Sequence, residues 1–254
     1  MIEHETLLRL GVFLGIFLLM AILETRFPKR SRTQRRTERW GTNLGLVLVD
    51  SIALKIALPL FALGTAAIAD ERSWGLLNLL QLPFWLELII AVVLLDMMIY
   101  WQHVASHKIP ILWRLHRIHH ADRDIDVTTG VRFHPAEIIL SMLYKMIIVL
   151  LLGPSIVAVM IFEILLNACA MFNHANLRLP SKLDNLLRLL IVTPDMHRVH
   201  HSTLTGETNS NYGFFLSFWD RLFGSYIAQP RDGHQQMRIG LSDCLLYTSD
   251  AADD

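Results

Sequence analysis

The sequence runs to 254 residues, 53% of them apolar and 18% charged, with 23 basic against 23 acidic side chains and a mean hydropathy of +0.39. Zero net charge gives no support to nucleic acid as a partner. Two cysteines are too few for a cysteine-held zinc or iron–sulfur site, and the apolar content exceeds that of an ordinary soluble domain and points to a membrane.

In chain order, apolar stretches occupy residues 6–23, 43–69, 79–101 and 137–173. Crossing the ~30 Å hydrocarbon layer takes about 20 helical residues, so each of the first three can cross once. So few charges over such lengths argue against buried helices of a soluble protein. Acidic Glu3 and Glu5 precede the first stretch, which lacks the basic flank and small-residue cleavage site of a secretory signal, so it reads as a retained helix. The linker that follows, TRFPKRSRTQRRTERW, is strongly basic from Arg26 to Arg39, and the positive-inside bias makes it cytoplasmic. Pinned between two spans, it does not read as a nucleic-acid patch. The amino terminus and the Asp70-Glu71-Arg72 turn then fall outside, and Pro59 either kinks the second stretch or ends its regular part.

The third stretch returns Tyr100 and Trp101 to the cytoplasmic interface, where aromatic rings are favoured, and HVASH follows at 103–107. His103 and His107, four residues apart, share a helix face. Pro110 predicts a bend that folds the next cassette, HRIHH at 116–120, back towards them. The cassette recurs as HRVHH at 197–201. On a helix its three imidazoles fall within an arc of roughly 100°, able to converge on one ion. Two copies arise by chance in about one in a thousand chains of this histidine content. Thr193-Pro194 ahead of the second copy predicts an N-cap and a first-turn proline, with the helix over by Gly206.

A single crossing by the stretch at 137–173 would leave the two cassettes on opposite faces of the membrane. Gly153-Pro154 divides it, and a hairpin of two short helices keeps both cassettes on the cytoplasmic side. Asp96, seven residues before His103 on the same face, is an ionisable group inside a span and a candidate acceptor for orienting an imidazole. The expected fold is all-α: a polytopic membrane helical bundle with a cytoplasmic-side helical cap carrying the histidine boxes.

A structural zinc takes four ligands and a catalytic one about three, so eight box histidines suggest two ions. HExxH is absent, and so is the Glu-x-x-His pair of carboxylate-bridged sites. A histidine-rich dinuclear iron site with positions open to dioxygen is the leading reading. The competing class, a histidine-rich membrane metal-binding protein or transporter, would need more polar groups at mid-membrane than Asp50, Lys55, Asp96, Lys145 and Glu163.

HVASH, HRIHH and HRVHH, with FHP at 133–135, FNHANLRLP at 172–180 and NYGFFLSFWDRLFGSY at 211–226, resemble the fatty acid hydroxylase and sterol desaturase superfamily of integral-membrane non-haem di-iron enzymes over about residues 90–230. The resemblance implies O2-dependent hydroxylation or desaturation of a lipid or sterol. It implies that His103, His107, His116, His119, His120, His197, His200 and His201 ligate two Fe ions, with His134 and His174 also at the site. Val104 stands where many relatives carry Arg. With no dinucleotide fingerprint, cysteine cluster or fused haem-binding module, no bound NAD, flavin or haem is expected. Electrons are expected from a separate ferredoxin, cytochrome or reductase. Trp219, Leu222 and Phe223, at helical spacing, read as the core of an amphipathic cap, and Cys169 as packing.

One membrane-embedded domain over residues 1–243 accounts for the chain. The last eleven residues, CLLYTSDAADD at 244–254, continue no periodicity and resemble a translated sequencing-adapter read-through, which would place the end of the native reading frame near Ser242 or Asp243.

Overall fold

A computed structural model describes residues 2–242, so the expectation about the 244–254 tail lies outside the described residues. In chain order the helices are α1 (Ile2–Arg26), α2 (Arg36–Ala57), α3 (Ala62–Glu71), α4 (Leu76–Leu80), α5 (Phe84–Lys108), α6 (Pro110–His120), α7 (Pro135–Leu152) and α8 (Ile156–His174). Five short helices follow: α9 (Ser181–Leu187), α10 (Pro194–His200), α11 (Thr205–Thr208), α12 (Phe218–Leu222) and α13 (Gly233–Gln236). Among the described residues there is no strand, only isolated bridges such as Pro28 with Leu177.

Among the described residues five segments are long and apolar enough to cross a membrane: Thr6–Arg26, Arg36–Leu80, Phe84–Lys108, Pro135–Leu152 and Ile156–His174. The sequence punctuation decides where they break. Pro59 follows the end of α2 and separates it from α3, ending the regular helix rather than bending it. Gly153 closes α7 in the left-handed conformation (φ 61°), and the Ser155 hydroxyl opens α8 by accepting from Ala158 N (3.2 Å). A side chain at Gly153 would also collide with the carbonyl of Trp74, 2.1 Å from where its Cβ would stand. The hairpin α7–α8 therefore enters and returns.

In the bundle, α8 packs against α1, α3 and α5, while α7 packs against α2 and α3. Ala66, Leu95, Val149, Val159 and Phe162 form the centre of its core. Aliphatic side chains such as Leu14, Leu48, Ile147 and Leu151 stay exposed on its outside, as a lipid-facing wall requires. Three ionisable groups inside the spans pair with one another: Glu163 accepts from Lys145 Nζ (2.9 Å) and Arg9 Nη2 (2.6 Å).

The basic linker between α1 and α2 also ties the bundle to the cap. Arg39 forks onto Asp122 (2.7 Å on both oxygens) and reaches Asp126 (2.5 Å), while Lys29 meets Asp195 (2.5 Å). These contacts fix the loop after α6 and the start of α10 at the same end of the bundle. One expectation about the cap is corrected. Trp219 is buried, but Leu222 is 64% and Phe223 39% exposed, because α12 is too short to bury more than one face of its turn.

Candidate metal centre

Four helix ends bring the imidazoles together. His103 and His107 lie in the last two turns of α5, and Pro110 sits in the first turn of α6, which doubles back so that His116, His119 and His120 face them. His174 is the final residue of α8. The Thr193 hydroxyl accepts from Met196 N (3.4 Å) at the start of α10, whose single short run carries His197 and His200, with His201 at its C-cap. That helix stops at His200, ahead of Gly206.

The histidines sort into two groups. His103, His107, His116, His120 and His200 form one, and His119, His174, His197 and His201 the other; within each group the ligand atoms lie within 4.8 Å of one another. The groups abut, since the His120 and His201 rings stack 4.6 Å apart. Each HxxHH cassette thus contributes to both groups.

Backbone and carboxylate oxygens set the tautomers. Nδ1 donates to the carbonyl of Tyr212 from His103 (2.7 Å), of Arg132 from His119 (3.1 Å), of Ala170 from His174 (2.7 Å) and of Ser210 from His200 (2.7 Å). A carbonyl can only accept, so Nδ1 carries the proton and Nε2 is left with a lone pair. His116 Nδ1 donates instead to Glu137 Oε1 (2.6 Å). Burial first, and neighbouring imidazoles second, hold His119, His120, His197 and His201 well below the usual histidine range and push His200 down to about 3. These rings are neutral and able to ligate.

The lone pairs converge. Nε2 of His119 lies 3.1 Å from Nε2 of His174 and the His103–His116 Nε2 pair is 3.2 Å apart, while the His197 Nε2 reaches within 3.0 Å of His174 Nε2. Two acceptor nitrogens this close repel unless a cation lies between them. Metal–nitrogen bonds of about 2.1 Å would set neighbouring ligand nitrogens about 3 Å apart. Buried Nε2 atoms of His107, His120, His200 and His201 have no hydrogen-bond partner either. The residues therefore fit metal ions, and imidazole suits Fe, Zn, Cu and Ni alike.

Two expected site residues stand apart. His134 belongs to neither group: its Nδ1 accepts from Ala136 N (3.0 Å) and caps α7. Asp96 accepts from Trp219 Nε1 (2.8 Å) and Leu216 N (3.0 Å), so it anchors the cap rather than an imidazole. Glu137, which took no part in the sequence reading, holds the position beside His116; its only sequence signal is an acidic residue in the first turn of an apolar helix. Beside His103 and His116 opens a cavity of about 160 Å³ whose walls include Ile99, Phe133, Leu166 and Phe214.

The fatty acid hydroxylase family matches residues 88–225, more than half of the chain and the whole span of the histidine groups. The chain belongs to the fatty acid hydroxylase family. Among its relatives, the ornithine lipid hydroxylase OlsE of Rhizobium tropici is 25% identical over 237 residues, 90% of this chain and 70% of that protein. Alkylglycerol monooxygenase of Xenopus tropicalis is 30% identical over 191 residues, 68% of this chain but only 40% of that protein. The very-long-chain aldehyde decarbonylase GL1-11 of Oryza sativa subsp. japonica is 28% identical over 174 residues, 67% of this chain and 64% of that protein. No solved structure matches the chain. Family membership makes the protein an oxygen-dependent oxidoreductase.

Proposed function

We propose that this protein hydroxylates an unactivated C–H bond of a lipid within the membrane, using O2, two irons held by the two histidine groups, and electrons from a separate donor protein. The observation that carries the reading is the pair of abutting imidazole groups with converging, unprotonated Nε2 atoms beside a largely apolar cavity. Lipid hydroxylase and monooxygenase relatives support the same class of reaction.

In this reading the five-histidine group and the four-histidine group each hold one iron. Bound there, iron supplies the change of oxidation state that dioxygen reduction and attack on an unactivated carbon require. Glu137 keeps His116 in the Nδ1-protonated form and strengthens its Nε2 as a ligand. The backbone acceptors do the same for His103, His119, His174 and His200. Ile99, Phe133, Leu166 and Phe214 keep water from the substrate carbon and accept an alkyl chain. The basic linker lies at the same end of the bundle as the histidines, which supports a cytoplasmic placement of the site through the positive-inside bias.

The test is purified protein in lipid nanodiscs. Two irons per chain, and oxygen consumption that needs both a lipid and a reductant, are the expected result. Metal transport into proteoliposomes without oxygen consumption would replace the reading with a transporter.

A further inference from the structure

We propose that Gln102 and Glu137 form a subsite for a hydrogen-bond donor, a hydroxyl or an amide N–H, carried by the lipid close to the carbon that is oxidised. The proposal rests on the oxygenase reading for its substrate, but it arises from two cavities that share one wall. The inner cavity, about 160 Å³, reaches His103 and His116. An outer one, about 170 Å³, lies between α5, α6 and α7, and its rim residues Trp101 and Leu140 are 41% and 46% exposed on the lipid-facing side. Gln102, Ser106, Glu137 and Ser141 line both.

On that wall three hydrogen bonds engage the donors of Gln102, Ser106 and His116. Gln102 Nε2 donates to Ser141 Oγ (2.7 Å), Ser106 Oγ donates to the Gln102 carbonyl (3.1 Å), and His116 Nδ1 donates to Glu137 Oε1 (2.6 Å). Two acceptors are left over: Gln102 Oε1 and Glu137 Oε2 are buried without a partner. An unpaired buried acceptor is costly, and a ligand that supplies a donor recovers that cost. The rest of the outer cavity is mostly apolar, with Ala105, Leu112, Leu115 and Leu140 on its walls.

An alkyl chain entering between α5 and α7 would fit those walls but leave both oxygens unpaired. A lipid with a hydroxyl or amide N–H at the junction satisfies them. Glu137 stands one imidazole ring away from the metal groups, so the carbon presented there lies within a few bonds of the donor.

The test measures binding to the iron-loaded full chain in nanodiscs, by displacement of a pyrene-labelled long-chain alcohol. Two ligand pairs are compared: a long-chain vicinal diol with its dimethyl ether, and a long-chain secondary amide with its N-methyl derivative. In at least one pair the donor-bearing member is expected to bind about tenfold more tightly, and the pair that discriminates identifies the donor as hydroxyl or amide. Gln102→Leu is expected to shrink that ratio to about threefold or less, and Gln102→Glu, which keeps an acceptor, to restore it. Equal affinities within both pairs for the unaltered protein, or a preference undiminished by Gln102→Leu, would overturn the subsite. Because the ligand pairs are first compared on the unaltered protein, the result does not depend on the variants folding. Lipid discrimination without any oxidation would sink the oxygenase reading and leave the subsite standing, whereas oxidation without discrimination would do the reverse.

Discussion

His116 Nδ1 donates to Glu137 Oε1 across 2.6 Å, which couples the second histidine box to the first turn of α7. The bond fixes the tautomer and the plane of a ring that would otherwise be free to turn about its side-chain torsions. Glu137→Leu is expected to weaken iron binding by about 10- to 100-fold, and Glu137→Gln, which keeps an acceptor, by much less. Chelator competition on the purified variants reads the difference; wild-type affinity in the Leu variant would remove Glu137 from the support of the centre.

Gly130 sits in the single turn at Thr129–Val131, pressed against α8. A Cβ there would stand 2.6 Å from the Ala170 carbonyl and 3.2 Å from His174 Nδ1, the two atoms that hydrogen-bond to each other. Gly130→Ala is expected to displace His174, costing about 1–3 kcal/mol of stability and selectively emptying the four-histidine group. Iron content and thermal unfolding check this together; full iron loading at an unchanged melting temperature would show that the backbone yields instead.

Arg39 is buried between Asp122 and Asp126, joining α2 to the loop after α6. Arg39→Met leaves two buried carboxylates uncompensated and is expected to cost about 3–5 kcal/mol. Burial alone would raise the Asp122 carboxyl, but the hydrogen bond and charge of Arg39 outweigh it and hold it below the usual carboxylate range. As pH falls, the unfolded chain protonates this group first, near pH 3.9. The stabilisation is complete above that value and lost as pH falls below it towards the folded pKa. Unfolding of Asp122→Asn should show a smaller loss of stability on acidification through that window than the unaltered protein does.

Asp96 gives a contrast between anchoring and ligand support. Its partners are the Trp219 indole and the Leu216 amide, both in the cap. Asp96→Ala is therefore expected to lower stability by about 1–3 kcal/mol while the protein still binds its full iron complement. A loss of iron without a loss of stability would instead return Asp96 to the centre.

Much of the architecture was legible along the chain because its determinants are local. Apolar runs of spanning length, Pro59, Gly153-Pro154, Pro110 and Thr193-Pro194 act within a few residues of where they stand, and the helices break at those positions. The histidine boxes were legible for a related reason: a spacing of three and four residues places rings on one helix face whatever the helix packs against. His134 shows the limit of that logic. Its place before Pro135 suits a helix cap as well as a ligand, and the sequence carries no sign of which way the ring turns. Asp96 shows another. It shares a face with His103, but the segment from Leu216 to Trp219 in α12 folds over that face at the level of Asp96 and takes both of its bonds, contacts 120 and 123 residues away along the chain.

The sequence by itself determined a membrane-spanning helical protein with three histidine-bearing turns, because hydrophobic length, helix periodicity and proline stops are short-range properties. Only the tertiary structure decided that the rings divide five and four, and that Glu137 and four backbone carbonyls set the tautomers of five of them. Those choices depend on which helix ends meet and how their side chains are turned, and such meetings are fixed by packing between segments far apart in the chain.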